Sequence, residues 1–140
     1  MNKEVLISVT GTQVNEFGEV DVQELVTKGS YYLKNGAYFI IYNESEVTGM
    51  SGTTTFLKAE STRVTLNRTG TSQQRHVFER GLRYRGNYIT PFGVIFMAVT
   101  SSKVDVNLTD GGGSINLEYE LEVENEKISD NVLSLTVREV

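Results

Sequence analysis

The segment Ile115-Asn116-Leu117-Glu118-Tyr119-Glu120-Leu121-Glu122-Val123-Glu124 alternates apolar and polar residues for ten positions without a break. Period two marks a strand with one face on a core and the other in water, because successive side chains of an extended backbone leave on opposite sides. Asp110-Gly111-Gly112-Gly113 before it and Asn125-Glu126 after it are turn-forming. Leu133, Leu135 and Val137 then alternate with Ser134, Thr136 and Arg138. The C-terminal third therefore reads as a hairpin of long strands.

The same rule extends back to the start of the chain. Val5, Ile7 and Val9 open with a strand, and Val14 to Glu19 reads as a connection. Asp21 to Lys34 is a strand expected to break near Lys28-Gly29-Ser30. Asn35-Gly36 is a strong two-residue hairpin signal, since both residues tolerate positive φ. Ala37 to Tyr42 and Val94 to Val99 are apolar on both faces, and Asn43 to Gly52 is a polar loop. Hairpins are expected for 53–58 with 62–67, and for 73–80 with 82–89 about Gly81. The chain holds 17 Val, 7 Ile and 15 Thr against 3 Ala, a bias toward residues that suit a pleated surface. No helix is expected. A meander of this kind must manage its edge strands, and closing on itself removes them. The expected fold is all-β: an antiparallel, up-and-down closed barrel of eight to ten strands. Residues 3–12, 37–43, 94–105, 114–123 and 132–138 are its clearest strands, and a Greek-key sandwich is the rival.

At 140 residues the chain is of single-domain size, and folding at that length buries about two-thirds of the surface. With no Cys and one His, disulfide frameworks, thiol nucleophiles and Cys or His-rich metal sites are excluded, and no cofactor is expected. The net charge of −5 opposes attraction to nucleic acid or an anionic membrane. No apolar run approaches a bilayer span and no signal peptide is legible, so a cytoplasmic address is the expectation.

Features that could carry chemistry are few. Six of the seven arginines fall between Arg63 and Arg85, whereas residues 110–130 carry seven acids against Lys127. Cross-strand pairing between two such faces is the plainer reading; an anion or nucleic-acid surface, with Tyr84 and Tyr88 interleaved, is the functional one. Glu44 and Glu46 are paired carboxylates, but adjacent in a loop rather than across a cleft as glycosidases need. His76 lacks a nucleophile motif and reads as a packed or surface histidine. Gly111-Gly112-Gly113 lacks the Lys-Ser/Thr sequel of a phosphate loop and reads as a turn. Nothing here assembles a catalytic set. Arg68 differs from its neighbours: it sits at a strand end beside Gly70, and a guanidinium offers a planar fork for carboxylate or phosphate. A structural pairing with Glu44 or Glu79 is the competing role.

Several short motifs resemble those of the YwiB-like family of bacterial domains of unknown function. They are Tyr42-Asn43-Glu44-Ser45, Arg68-Thr69-Gly70, Phe78 with Gly81, Tyr88-Ile89-Thr90-Pro91-Phe92-Gly93, and Thr100. The resemblance spans essentially the whole chain. It implies a barrel similar to the calycins (lipocalins and fatty-acid-binding proteins), with room for a small apolar or acidic ligand. No catalytic residue comes with it. Tyr42, Glu44, Arg68, Phe78, Tyr88 and Thr100 form the candidate ligand-binding set, and an interaction module using residues 63–85 is the alternative. The two strands apolar on both faces require a cover: a loop, a second layer or another copy of the chain, hence a possible homodimer.

Overall fold

The computed structural model describes residues 2–140, apart from the side chain of Val47. Ten strands follow in order: β1 Lys3–Asn15, β2 Val20–Lys34, β3 Ala37–Asn43, β4 Thr53–Ala59, β5 Arg63–Gly70, β6 Gln73–Glu79, β7 Arg83–Thr90, β8 Gly93–Thr109, β9 Gly112–Val123 and β10 Glu126–Glu139. Each is antiparallel to its neighbours along the chain, and β1 pairs with β10 to close the barrel. A short 3-10 turn, Glu46–Thr48, lies between β3 and β4. Among the described residues no helix is long and apolar enough to cross a membrane.

Parity decides what points inward. Ile7 on β1 lies opposite Val137 on β10, Leu135 opposite Ile115 on β9, and Tyr31 on β2 opposite Ile40 on β3. These side chains are buried and, with Leu57, Val64 and Leu117, fill one half of the barrel. Tyr31 and Tyr38 stack there at 5.2 Å between ring centroids. Their hydroxyls donate to the Thr109 carbonyl (2.6 Å) and to Asp110 Oδ1 (2.9 Å), sealing that end.

Asn35-Gly36 turns as expected, at φ 52° and 79°. The β9–β10 turn is carried by Glu124 and Asn125, at φ 51° and 68°, one residue earlier than the sequence suggests. β2 does not break at Lys28-Gly29-Ser30. Gly29 stays in register because it faces Ile7 and the Ile41 carbonyl so closely that a Cβ would lie 2.4 Å from each. The expected hairpin about Gly81 is a partial one. β6 meets β7 at Gln73–Ile89 and Gln74–Tyr88 only, among the pairs described. The strands then diverge because the turn bonds to β8 instead: Gly81 N–H donates to the Ser101 carbonyl (2.9 Å) and Ser101 N–H to that of Leu82 (3.4 Å). The β8–β9 ladder bulges at that point, between Ser101 and Lys103.

Gly113 gives a direct test of this register. It sits at φ 143°, and a Cβ there would lie 1.9 Å from the Asn107 carbonyl oxygen. Gly113→Ala should cost about 2–3 kcal/mol, read from the denaturant midpoint. Gly18→Ala, at positive φ with open space around it, should cost less. Equal losses at the two positions would contradict the close approach of β8 and β9.

Candidate functional site

The other half of the barrel is hollow. A cavity of about 310 Å³ lies between the end of β1, the start of β2, the loop before β4 and the ends of β5 to β10. Arg68, His76, Phe78, Tyr88 and Tyr119 line it, with Leu66, Met97 and Val99 as apolar wall. A smaller recess of about 70 Å³ adjoins it, bounded by Arg68, Tyr42, Glu44, Thr48 and Leu25.

Strand parity assembles the polar cluster. Tyr42 ends the inward row of β3, Thr55 stands opposite it on β4, and Arg68 opposite Thr55 on β5. Glu44 follows Tyr42 by two positions and points the same way, its backbone N–H held by the Thr53 carbonyl (2.8 Å). The Glu44 side chain is 2 % exposed and that of Arg68 17 %. Arg68 Nε lies 3.6 Å from Glu44 Oε2 and donates to Thr55 Oγ1 at 3.3 Å. Thr55 donates onward to Glu44 Oε2 in a short hydrogen bond, and Thr48 donates to Glu44 Oε1 at 3.0 Å. Glu44 thus has two hydroxyl donors and a cation beside it, the satisfaction a buried carboxylate requires. Burial pushes the Tyr42 phenol well above its ordinary range, and the Glu44 charge adds to the shift.

The arginine is engaged through one edge. Among the described residues no protein acceptor meets its terminal nitrogens, and it is the one cation on the cavity wall. His76 lies on the inward row of β6 beside it, 5 % exposed. Its Nε2 meets Gln74 Oε1 at 2.7 Å, while Nδ1 is buried without a partner among the described residues. Burial, then the Arg68 charge, pushes the imidazole down to about 4, so the ring is neutral at pH 7. Phe78 packs against Tyr119 at 4.8 Å, making the aromatic part of the wall.

Five of the six candidate residues therefore meet at one end of the barrel. Arg68, Phe78 and Tyr88 line the main cavity, and Tyr42 and Glu44 line the recess with Arg68. Thr100 is the exception. It alternates with the buried Val99 and Ser101 on β8, so it faces outward, opposite Arg83 and Glu120. Thr48, Thr55, His76, Gln74 and Tyr119 join the site without having been singled out for it. For Thr55 and His76 the available signal was parity, two residues from Leu57 and from Phe78. Of the other arginines, Arg63 pairs with Glu79 (2.9 Å) and Arg83 with Glu122 through two hydrogen bonds. Arg75, Arg80 and Arg85 form no salt bridge among the described residues. Among the described residues no group of three or more His, Asp or Glu is placed to hold a metal ion.

Comparison with known proteins agrees with this architecture. Residues 7–135 match the family described as "Domain of unknown function (DUF1934)". The uncharacterized beta-barrel protein YwiB of Bacillus subtilis (strain 168) is 24 % identical over 114 residues, covering 81 % of this chain and 79 % of that protein. The crystal structure of the ywiB protein from Bacillus subtilis superimposes with a TM-score of 0.89 at 19 % identity, over 99 % of this chain and 93 % of that one.

Glu44→Gln keeps the shape but leaves Arg68 without its anion, and should cost about 3 kcal/mol in denaturant unfolding. Arg63→Gln, which breaks an exposed pair, should cost under about 1 kcal/mol. An unfolded histidine takes up its proton near pH 6.5 and His76 only near 4. Acidification through that window therefore favours unfolding, by a total of about 3 kcal/mol. Below pH 4 both states are protonated and the contribution is flat. His76→Phe should remove that part of the pH dependence between 6.5 and 4, measured as melting temperature against pH beside the wild type.

Proposed function

This chain belongs to the DUF1934 family, a β-barrel family of unknown function, and we propose from its own residues that the barrel binds a small organic acid. The observation that carries this reading is the partly buried Arg68: one edge of its guanidinium is held by Thr55 and Glu44, and the other is left to a cavity whose walls are part apolar and part polar, with Asp21 among them. A guanidinium takes a carboxylate through two parallel hydrogen bonds. Glu44 already offsets much of its charge, so the fork supplies geometry and orientation more than net attraction. The Leu66, Phe78, Met97 and Val99 wall takes the apolar body. A volume near 310 Å³ sits at the low end of ligand pockets, which run from about 300 to 1,000 Å³, and suits a short acid rather than a long lipid. The likeness to calycin barrels, many of which hold small apolar molecules, supports the reading by analogy only.

The residue inventory favours binding over catalysis. His76, the one imidazole, is neutral and buried, and among the described residues no hydroxyl or carboxylate is hydrogen-bonded to its free nitrogen. The alternative, an interaction module built on residues 63–85, is weakened by the inward course of Arg68 and the pairing of Arg63 and Arg83.

Calorimetric titration with octanoate tests the proposal. Wild type should bind it, and Arg68→Lys should bind at least tenfold more weakly, because lysine keeps the charge and loses the fork. The lysine variant should melt within a few degrees of wild type. Equal binding by both proteins would remove Arg68 from the site. Absence of octanoate binding, together with native mass spectra of freshly purified protein free of any acidic molecule, would reject the function.

A further inference from the structure

The outward face of β7 and β8 carries an observation independent of the cavity. Val94 and Phe96 on β8 are 51 % and 56 % exposed, and Phe92 at the hairpin tip is 99 % exposed. Ile89 lies across from Val94, and Asn87 across from Phe96, so the apolar side chains form one patch. The sequence demands a cover for this doubly apolar strand, and no described loop or second layer of the chain supplies one. β3, the other such strand, needs none of this kind: Ile40 and Tyr42 turn into the core, and outward Phe39 and Ile41 are half-buried, Phe39 stacking on Tyr32 at 5.0 Å.

Charge is distributed unevenly about the patch. Arg85 flanks it on the β7 side and Glu124 on the β9 side, with β8 between. Neither forms a direct salt bridge among the described residues, although the Arg85 charge, after that of Arg83, helps to hold the Glu122 carboxyl below its ordinary range. Arg85 Nη2 donates to Asn125 Oδ1 at 3.3 Å, and Glu124 Oε1 accepts the Phe96 N–H at 3.2 Å. The neighbouring pair, Arg83 with Glu122, is already made. Beside Phe96 a hollow of about 200 Å³ opens between Arg85 and Asn125, with Gly86 and Ala98 among its walls.

We propose that this face is a self-association surface, on which a second copy of the chain packs its own β7–β8 face about a two-fold axis running along β8. Two sheets facing each other about such an axis set the β7 side of each over the β9 side of the other. Arg85 then meets the partner's Glu124, and the contact is made twice, as an isologous interface requires. An axis running across the strands would set Arg85 against the partner's Arg85. The patch is thus complementary to itself in one orientation and repulsive in the other. An aromatic ring of the partner fills the hollow beside Phe96. Lipid and nucleic acid fit less well, because the chain carries a net charge of −5 and the patch is bordered by both signs. A second copy meets both requirements.

Sedimentation velocity on the full chain at tens of micromolar tests this. Wild type should sediment as a dimer, and Phe96→Glu, an outward substitution, as a folded monomer that still melts cooperatively, at a temperature no longer dependent on protein concentration. Val94→Asp gives the same reading should Phe96→Glu lose stability. Arg85→Glu and Glu124→Arg should each weaken association roughly tenfold, and the double exchange should restore most of it. A wild type that remains monomeric overturns the proposal and leaves the patch to a different partner. A dimer that survives both Phe96→Glu and Val94→Asp places the interface elsewhere. Failure of the double exchange to recover association rejects the axis along β8.

Discussion

Everything in this molecule depends on the ladder between its first and last strands. β1 and β10 pair over eleven positions, from Val5–Glu139 to Asn15–Ser129. Without that ladder the chain is a twisted meander with two open edges, each a row of unpaired backbone donors and acceptors. With it the sheet has an inside, and side-chain parity becomes a statement about what is kept from water. Closure also explains how one barrel has two unlike halves. Where β1 carries Val5 and Ile7 the facing strands bring Leu135, Val137 and Ile40, and the interior packs solid. Where β1 carries Gly11 and β6 carries His76, the side chains do not meet across the axis and a cavity remains.

A polar cluster at the border of these halves has to satisfy itself. Glu44, Thr55 and Thr48 close a hydrogen-bonded set around one edge of Arg68. Replacing such a set with apolar residues is often neutral or stabilising, so its presence needs a reason beyond stability. On the proposed function that reason is preorganisation: an arginine held along Nε would lose little further freedom on binding an acid. His76 has the same character: a buried, neutral ring with one nitrogen unsatisfied lowers stability while it adds polarity to the cavity wall.

Most of the architecture was legible in the sequence because it rests on period two and on turns. The unbroken alternation from Ile115 to Glu124, the Asn35-Gly36 turn and the scarcity of Ala lead to an antiparallel barrel without structural help. Misreadings arose where a residue's reason lies across the sheet. Gly29 looks like a break in one strand, yet it is a close approach to Ile7 and Ile41, which are far away in sequence. The hairpin about Gly81 looks local, but Ser101 on β8 competes for its backbone. The site was partly legible for the same reason. Arg68 with Glu44 as partner follows from residue chemistry, whereas Thr55 as the link between them needs the β3–β4–β5 register. Thr100 was misplaced because a family-like motif says nothing of parity, and its neighbours Val99 and Ser101 take the inward positions.

Acid binding at the outer edge of Arg68, inside the hollow half-barrel, is the proposal on which the chemistry turns. A crystal of the protein soaked in 4-bromobenzoate tests it most directly, because bromine locates the molecule by anomalous scattering. Bromine density is expected in the cavity between Phe78, Met97 and Tyr119, with the carboxylate on the terminal nitrogens of Arg68 and Glu44 still held by Thr55. Bromine found only outside the barrel, with those nitrogens bonded to protein groups, would contradict it.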